Sequence, residues 1–497
     1  MRKWIVVCGK YEGLKAAAVN LLVSEMSKYV KFVVPVCPAD SIDESAFADK
    51  NVVILGTLSD NKFIAEKYDK IANGNEEGYA FEVKAKDDKN IITIAANTMQ
   101  GLYYGVVDFI SVYIPTIAST LYPNVNLGDV FNTPFNCLMP EFKLERSPKI
   151  KNRAIWTWGH CILDYKKFFE NMALLKLNEI VIWNDYIPAN AKEVVDYAHS
   201  YGIKVIWGFA WGWDVQCGNF NIKDCFDPEK IAAFAAKTLK YYKDNILPTK
   251  ADGIYFQSFT ELTIDNIDGI NIAEAVTAWV NGIAKAIYKK YPELEIQFGL
   301  HATSVNQHLN VLANVDKRIK IVWEDCGAFP YNYSPALIND YEQTVEFTEN
   351  TTRLRGEQER FGCVYKGMTT LYWHSIKYDD AGAHWVESFD HIEGPFILGE
   401  NSEEEINAVY TDRLPSWKYI QAEWIKNANC VRDMTNRIAG FTKGNTDVQL
   451  LVEYGAFEKA IMFPVAFAAE TLWQPDDTTE NILERVLLNP NVKTANV

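Results

Sequence analysis

The sequence predicts an α/β protein centred on a (β/α)8 TIM barrel, with a small N-terminal α/β domain and a helical C-terminal segment. Three observations lead there. From Lys151 to Val215 the runs RAIWTWGH, NEIVIWNDYIP and KVIWGFAWGWD each pass from β-branched and aromatic residues into a polar or aromatic tip. Between them, FFENMALLKL and AKEVVDYAHSYG carry apolar residues at the three- and four-residue spacing of amphipathic helices. Strand and helix alternating in this way imply parallel pairing through right-handed crossovers, which puts reacting groups at the C-terminal strand ends.

The elements follow in order. Residues 1–140 read as a separate α/β domain. KWIVVCG and KNVVILGT are buried strands around the helix LKAAAVNLLVSEMSKYV, and GYAFEVKAK and NIITIAAN form a hairpin about the turn-forming KDDKN. A helix from Met99 to Val112 and a Pro- and Asn-rich loop come next. Residues 141–401 are the barrel. After the first three strands, ADGIYFQSFTEL supplies the fourth, LEIQFGLHATS the fifth and RIKIVWEDCGAFPYNY the sixth, while YKGMTTLYWHSIKYDD begins the seventh. The eighth is assigned to His391–Leu398, within DHIEGPFILGE. Residues 402–497 read as mostly helical, a cap without further strand alternation.

Composition limits the function classes. A chain of 497 residues holds two or three domains, one of barrel size. Its net charge of -16, without a basic run, argues against a nucleic-acid partner. No stretch reaches the roughly 18 apolar residues of a membrane span. MRKWIVVCGKYEGLKAAAV reads as a first strand rather than a secretion signal, so a cytoplasmic location is expected. Nine Cys, an odd number without paired CxxC spacing, suggest reduced thiols and no structural zinc.

The chemistry is sought at the strand tips. Glu261 follows the aromatic strand-four run, where desolvation would favour the protonated form that a general acid needs. Its structural alternative is capping a helix or tying a loop. Strand six ends in Glu324 and Asp325, of which alternation turns only one into the barrel. Asp325, nearer the loop and beside Tyr331 and Tyr333, is favoured slightly as base or nucleophile, against the alternative of an Asp fixing a loop through backbone N–H groups. Glycosidic cleavage needs such a pair: about 5–5.5 Å apart for retention, about 6.5–9.5 Å for inversion. Binding candidates at the other tips are Trp158 and His160, Asp185, Trp211, Trp213 and Asp214, Thr260, His301, and Trp373 and His374. Singly each reads as packing or loop structure. Together they suit a sugar pocket, in which Asp and His bind hydroxyls and Trp faces cover C–H groups. The first strand offers only His160 where a metal-dependent barrel hydrolase would want a His-x-His pair, and the GxSxG, GxxxxGK[ST], HExxH and GxGxxG signatures are absent. No metal and no cofactor is expected. The expected partner is a carbohydrate substrate, and a homo-oligomer is left open.

Two segments carry a resemblance. EEGYAFEVKAKDDKNIITIAANTMQGLYYGVVDFI is similar to the hairpin and helix of the non-catalytic N-terminal domain of certain carbohydrate-active enzymes, and FAAETLWQPDDTTENILERV to a Trp-containing helix end after their barrels. In architecture, nearly the whole chain resembles the group that includes β-N-acetylhexosaminidases, O-GlcNAcase-type enzymes and α-glucuronidases. The resemblance implies an exo-acting glycoside hydrolase with the strand-four acid at Glu261. Thr260 stands where the hexosaminidases and the O-GlcNAcase type have an Asp that orients an acetamido group, and His301 where an acid is expected on strand five. The competing expectation is a catalytically degenerate, carbohydrate-binding barrel.

Overall fold

The computed structural model describes residues 2–121, 134–158, 162, 164–183, 187, 190–208, 221–301, 304–324, 329–330, 340–356, 360–368, 402–441, 446–452 and 457–495. Its contacts divide the chain into two units, one made mainly of Met1–Pro148 and the other mainly of Lys149–His199 and Ile203–Thr479.

The first unit is a six-stranded sheet in the order Val36–Pro38, Trp4–Cys8, Asn51–Thr57, Lys89–Ala96, Tyr79–Lys86, Phe142–Arg146. The first four strands run parallel and the last two pair antiparallel. Asp87 and Asp88, both at positive φ, make the tight turn of the expected hairpin. The helix Met99–Asp108 follows, capped by the Thr98 hydroxyl. Its buried Asp108 accepts from Arg146 at 2.6 Å and from the Tyr79 hydroxyl, so the one charge on that apolar face is paired.

The second unit is a closed barrel of eight parallel strands. In chain order they are Asn152–Trp158, Glu179–Trp183, Lys204–Gly208, Gly253–Gln257, Glu295–Leu300, Lys320–Trp323, Phe361–Tyr365 and Thr446–Leu451. The first six fall on the expected runs, whereas the seventh, Phe361–Tyr365, ends at the residue where the run expected for it begins. The eighth corrects the sequence reading: Thr446–Leu451 pairs with both strand seven and strand one, inside the stretch read as helical. The segment 391–398 lies outside the described residues. Long helices, Ser402–Lys426 and Ala428–Phe441, precede the closing strand, and Phe463–Trp473 follows it. That last helix is wholly buried, and its Trp473 ring lies 4.9 Å from both the Arg153 guanidinium and the Lys176 ammonium.

Alternation along the strands fills the barrel in layers. The middle layer is apolar: Trp156, Val181, Ile206, Tyr255, Val322, Val364 and Leu451. Residues of opposite parity face outward, as Trp323 does when it stacks 4.0 Å from Phe347 of the helix Tyr341–Leu354. Burying one such large side chain is worth about 1.5–3 kcal/mol, so this layer fixes which residues point inward above and below it. Among the described residues no helix is long and apolar enough to cross a membrane, and the six described cysteines are free.

Candidate active site at the barrel mouth

Two residues beyond each middle-layer position, the chain reaches the C-terminal mouth. Val322 faces inward, so Glu324 does too. The same parity turns Gln257 inward after Tyr255. On strand five the inward positions carry Gln297, Gly299 and His301. Gly299 is glycine for a spatial reason: a Cβ there would collide with the Glu324 carboxylate and the Tyr255 hydroxyl. Its missing side chain is the room those two groups occupy.

Glu324 is fully buried. One carboxylate oxygen accepts from the Tyr255 hydroxyl and the other from Gln257 Nε2. His301 Nε2 lies 2.7 Å from that second oxygen. Burial by itself would raise the carboxyl pKa, but the His301 charge, reinforced by Lys366 and the Tyr255 O–H, outweighs it and holds Glu324 below the usual carboxyl range. For His301, burial pulls downward; the Glu324 charge, with a contribution from Glu261, prevails against it and against Lys366, and the pKa is raised. Burial first, then the Glu324 charge, push the Tyr255 phenol well above its ordinary range. The group is thus an imidazolium–carboxylate pair, with Tyr255 and Gln257 as neutral donors.

Glu261 closes the short helical turn Phe259–Glu261 that follows strand four, and its side chain is exposed while Phe259 and Thr260 are buried. The burial against aromatic walls expected from the sequence is therefore not seen. Thr260 is placed as a brace: its hydroxyl accepts from the His301 backbone N–H at 3.2 Å, and its carbonyl accepts from the Ser304 hydroxyl at 2.6 Å. Those bonds tie the Glu261 turn to the tip that carries His301.

Of the candidates named from sequence, the structure brings together Thr260, Glu261, His301 and Glu324. Trp158 ends strand one, with its side chain outside the description. His160, Asp185, Trp211, Trp213, Asp214, Asp325, Tyr331, Tyr333, Trp373 and His374 lie outside the described residues. Tyr255, Gln257 and Lys366 were missed. Counting parity back from the strand tips would have found the first two, since an inward Tyr and Gln stand four and two residues before the buried Phe259.

No family model matches the chain, and no curated protein does. Solved structures do. One is the β-N-acetylhexosaminidase from Bacteroides fragilis NCTC 9343, at 12% identity over 96% of this chain and 88% of that one, with a TM-score of 0.45. Another is the GH20 β-N-acetylhexosaminidase from Streptomyces coelicolor A3(2), at 12% identity over 73% and 70%, with a TM-score of 0.40. A third is a GH138 enzyme targeting pectin rhamnogalacturonan II, at 11% identity over 88% of this chain and 55% of that one, with a TM-score of 0.41. The chain thus spans little more than half of the GH138 protein's length. The barrel here rests on its own strand pairing, and the function on its own residues.

Proposed function

We propose that this protein is a glycoside hydrolase, exo-acting on glycans or oligosaccharides, with Glu261 as the general acid. The observation that supports this reading is an exposed carboxyl group at the mouth of strand four, interacting with a buried His301 whose charge is anchored by Glu324. A carboxyl at that mouth can protonate a leaving glycosidic oxygen, and a sugar seated over it would displace its water. Both oxygens of Glu324 are already taken by Tyr255, Gln257 and His301, so Asp325, which comes after the strand ends at Trp323 and is not bound by its alternation, is proposed as the second carboxylate. Glu324 and His301 then serve as positioning residues, and Trp158, His160, Asp185, Trp211, Trp213, Asp214, Tyr331, Tyr333, Trp373 and His374 as the sugar-binding set.

The engagement of Glu324 also favours a second reading, a binding barrel that has lost its chemistry. A panel of aryl glycosides covering hexosaminides, glucuronides and neutral sugars separates the two. Release of the aryl group from one class supports the hydrolase. Saturable sugar binding with no release from any member overturns it.

A further inference from the structure

The opposite end of the barrel is polar in a way that the proposed chemistry does not use. Glu179, Gln297, Lys320, Asp447 and Gln449 are fully buried at the starts of their strands. Gln297 sits at the centre: its Nε2 donates to Glu179 Oε1 at 3.1 Å and to Glu295 Oε1 at 2.9 Å, and its carbonyl accepts from Gln449 Nε2 at 2.9 Å. Lys320 pairs with Glu295 at 2.7 Å and with Asp447, and Arg360 holds the other Glu295 oxygen at 2.7 Å.

Two buried acceptors are left over. Among the described residues, Glu179 Oε2 and the Gln449 side-chain carbonyl have no hydrogen-bond donor. They belong to the two residues that Gln297 bridges, so both deficits fall in one layer. Charge does not fill the gap: three carboxylates, Glu179, Glu295 and Asp447, face Lys320 and Arg360, whose contacts go to Glu295 and Asp447, and the exposed Lys204 acts on Glu295 through space. One oxygen of each acid lies within 4.8 Å of the other two. An unpaired buried carboxylate oxygen is costly, and so is an unpaired amide carbonyl.

We propose that the barrel floor is a structural site for a hard divalent cation of the calcium type. Glu179 and the Gln449 carbonyl supply the uncommitted oxygens, and Asp447 and Glu295, already held by Asn152, Lys320, Gln297 and Arg360, would complete the set by sharing theirs. An all-oxygen donor set of acids and an amide carbonyl suits such an ion. Bound there, it would tie strands two, five and eight together at the end of a barrel that serves stability rather than reaction.

The test is elemental analysis of the full-length protein purified without chelator, followed by melting curves in EDTA and in CaCl2. About one equivalent of metal is expected, with a melting temperature that falls in EDTA and recovers by roughly 2–4 °C in excess calcium. Glu179→Gln should melt at the same temperature in both. Absence of stoichiometric metal together with identical wild-type melting in EDTA and CaCl2 would overturn the proposal and leave an internal water only. If Glu179→Gln does not fold, the wild-type metal content and calcium response decide alone.

Discussion

His301 Nε2 lies 2.7 Å from Glu324 Oε2, joining the tips of strands five and six by a buried ion pair. The carboxylate is shielded entirely from solvent and the imidazole almost so, and each holds the other in its charged form.

This pair sets a pH window. Glu324 is held below its ordinary 4.5, so its contribution to stability is complete above that value and is lost as pH falls through its depressed folded pKa. His301 is held above its ordinary 6.5, so its contribution is complete below that value and is lost as pH rises through its raised folded pKa. The pair is therefore complete between 4.5 and 6.5 and fades on either side. An NMR titration should give His301 a midpoint above 6.5 in the wild type. In Glu324→Gln, burial would act without its main opponent and the midpoint should drop. A midpoint that stays put argues against the pairing.

Removing one partner should cost more than removing both. Glu324→Ala leaves the imidazole buried without its counter-charge, a loss of about 3–5 kcal/mol in urea unfolding. Replacing His301 and Glu324 together by Leu should recover part of that loss, because no buried charge is then stranded. A double variant less stable than Glu324→Ala would contradict this account of the pair.

Gly299→Ala should be destabilising although the added group is one methyl. The new Cβ meets the Glu324 carboxylate and the Tyr255 hydroxyl, neither of which has free room. Overpacking of this kind costs about 1–3 kcal/mol, readable as a lower urea midpoint at unchanged slope. A neutral effect would mean that the pair can retreat from strand five.

Trp473 locks the buried C-terminal helix to the start of strand one. Its backbone carbonyl accepts from Lys149 N–H at 3.1 Å, and its ring contacts Arg153 and Lys176. Trp473→Ala should cost about 3–5 kcal/mol in the same urea assay. A loss below about 1 kcal/mol, the scale of a surface change, would contradict a locking role.

The first six barrel strands were legible because each is a short β-branched or aromatic run flanked by amphipathic helices, while the short seventh, Phe361–Tyr365, was passed over for the aromatic run that starts at its last residue. Closure was not legible. On the eighth strand the inward positions are Asp447, Gln449 and Leu451, so its apolar Val448 and Leu450 face outward and the usual buried-strand signal is inverted by the polar floor. The two long helices before it further disguise the repeat. At the site, the acids at strand tips were readable but their depth was not. Glu324 is drawn inward by the parity of Val322 and by the gap at Gly299, a relation between neighbouring strands that no local motif records.

The central claim is that Glu261 donates the proton. The direct test is steady-state turnover of Glu261→Gln beside wild type, on the aryl glycoside that the wild type cleaves best, with sugar affinity measured in parallel by calorimetry. Turnover should fall by about 10²–10⁴-fold while affinity is retained. Turnover at the wild-type rate would contradict the account.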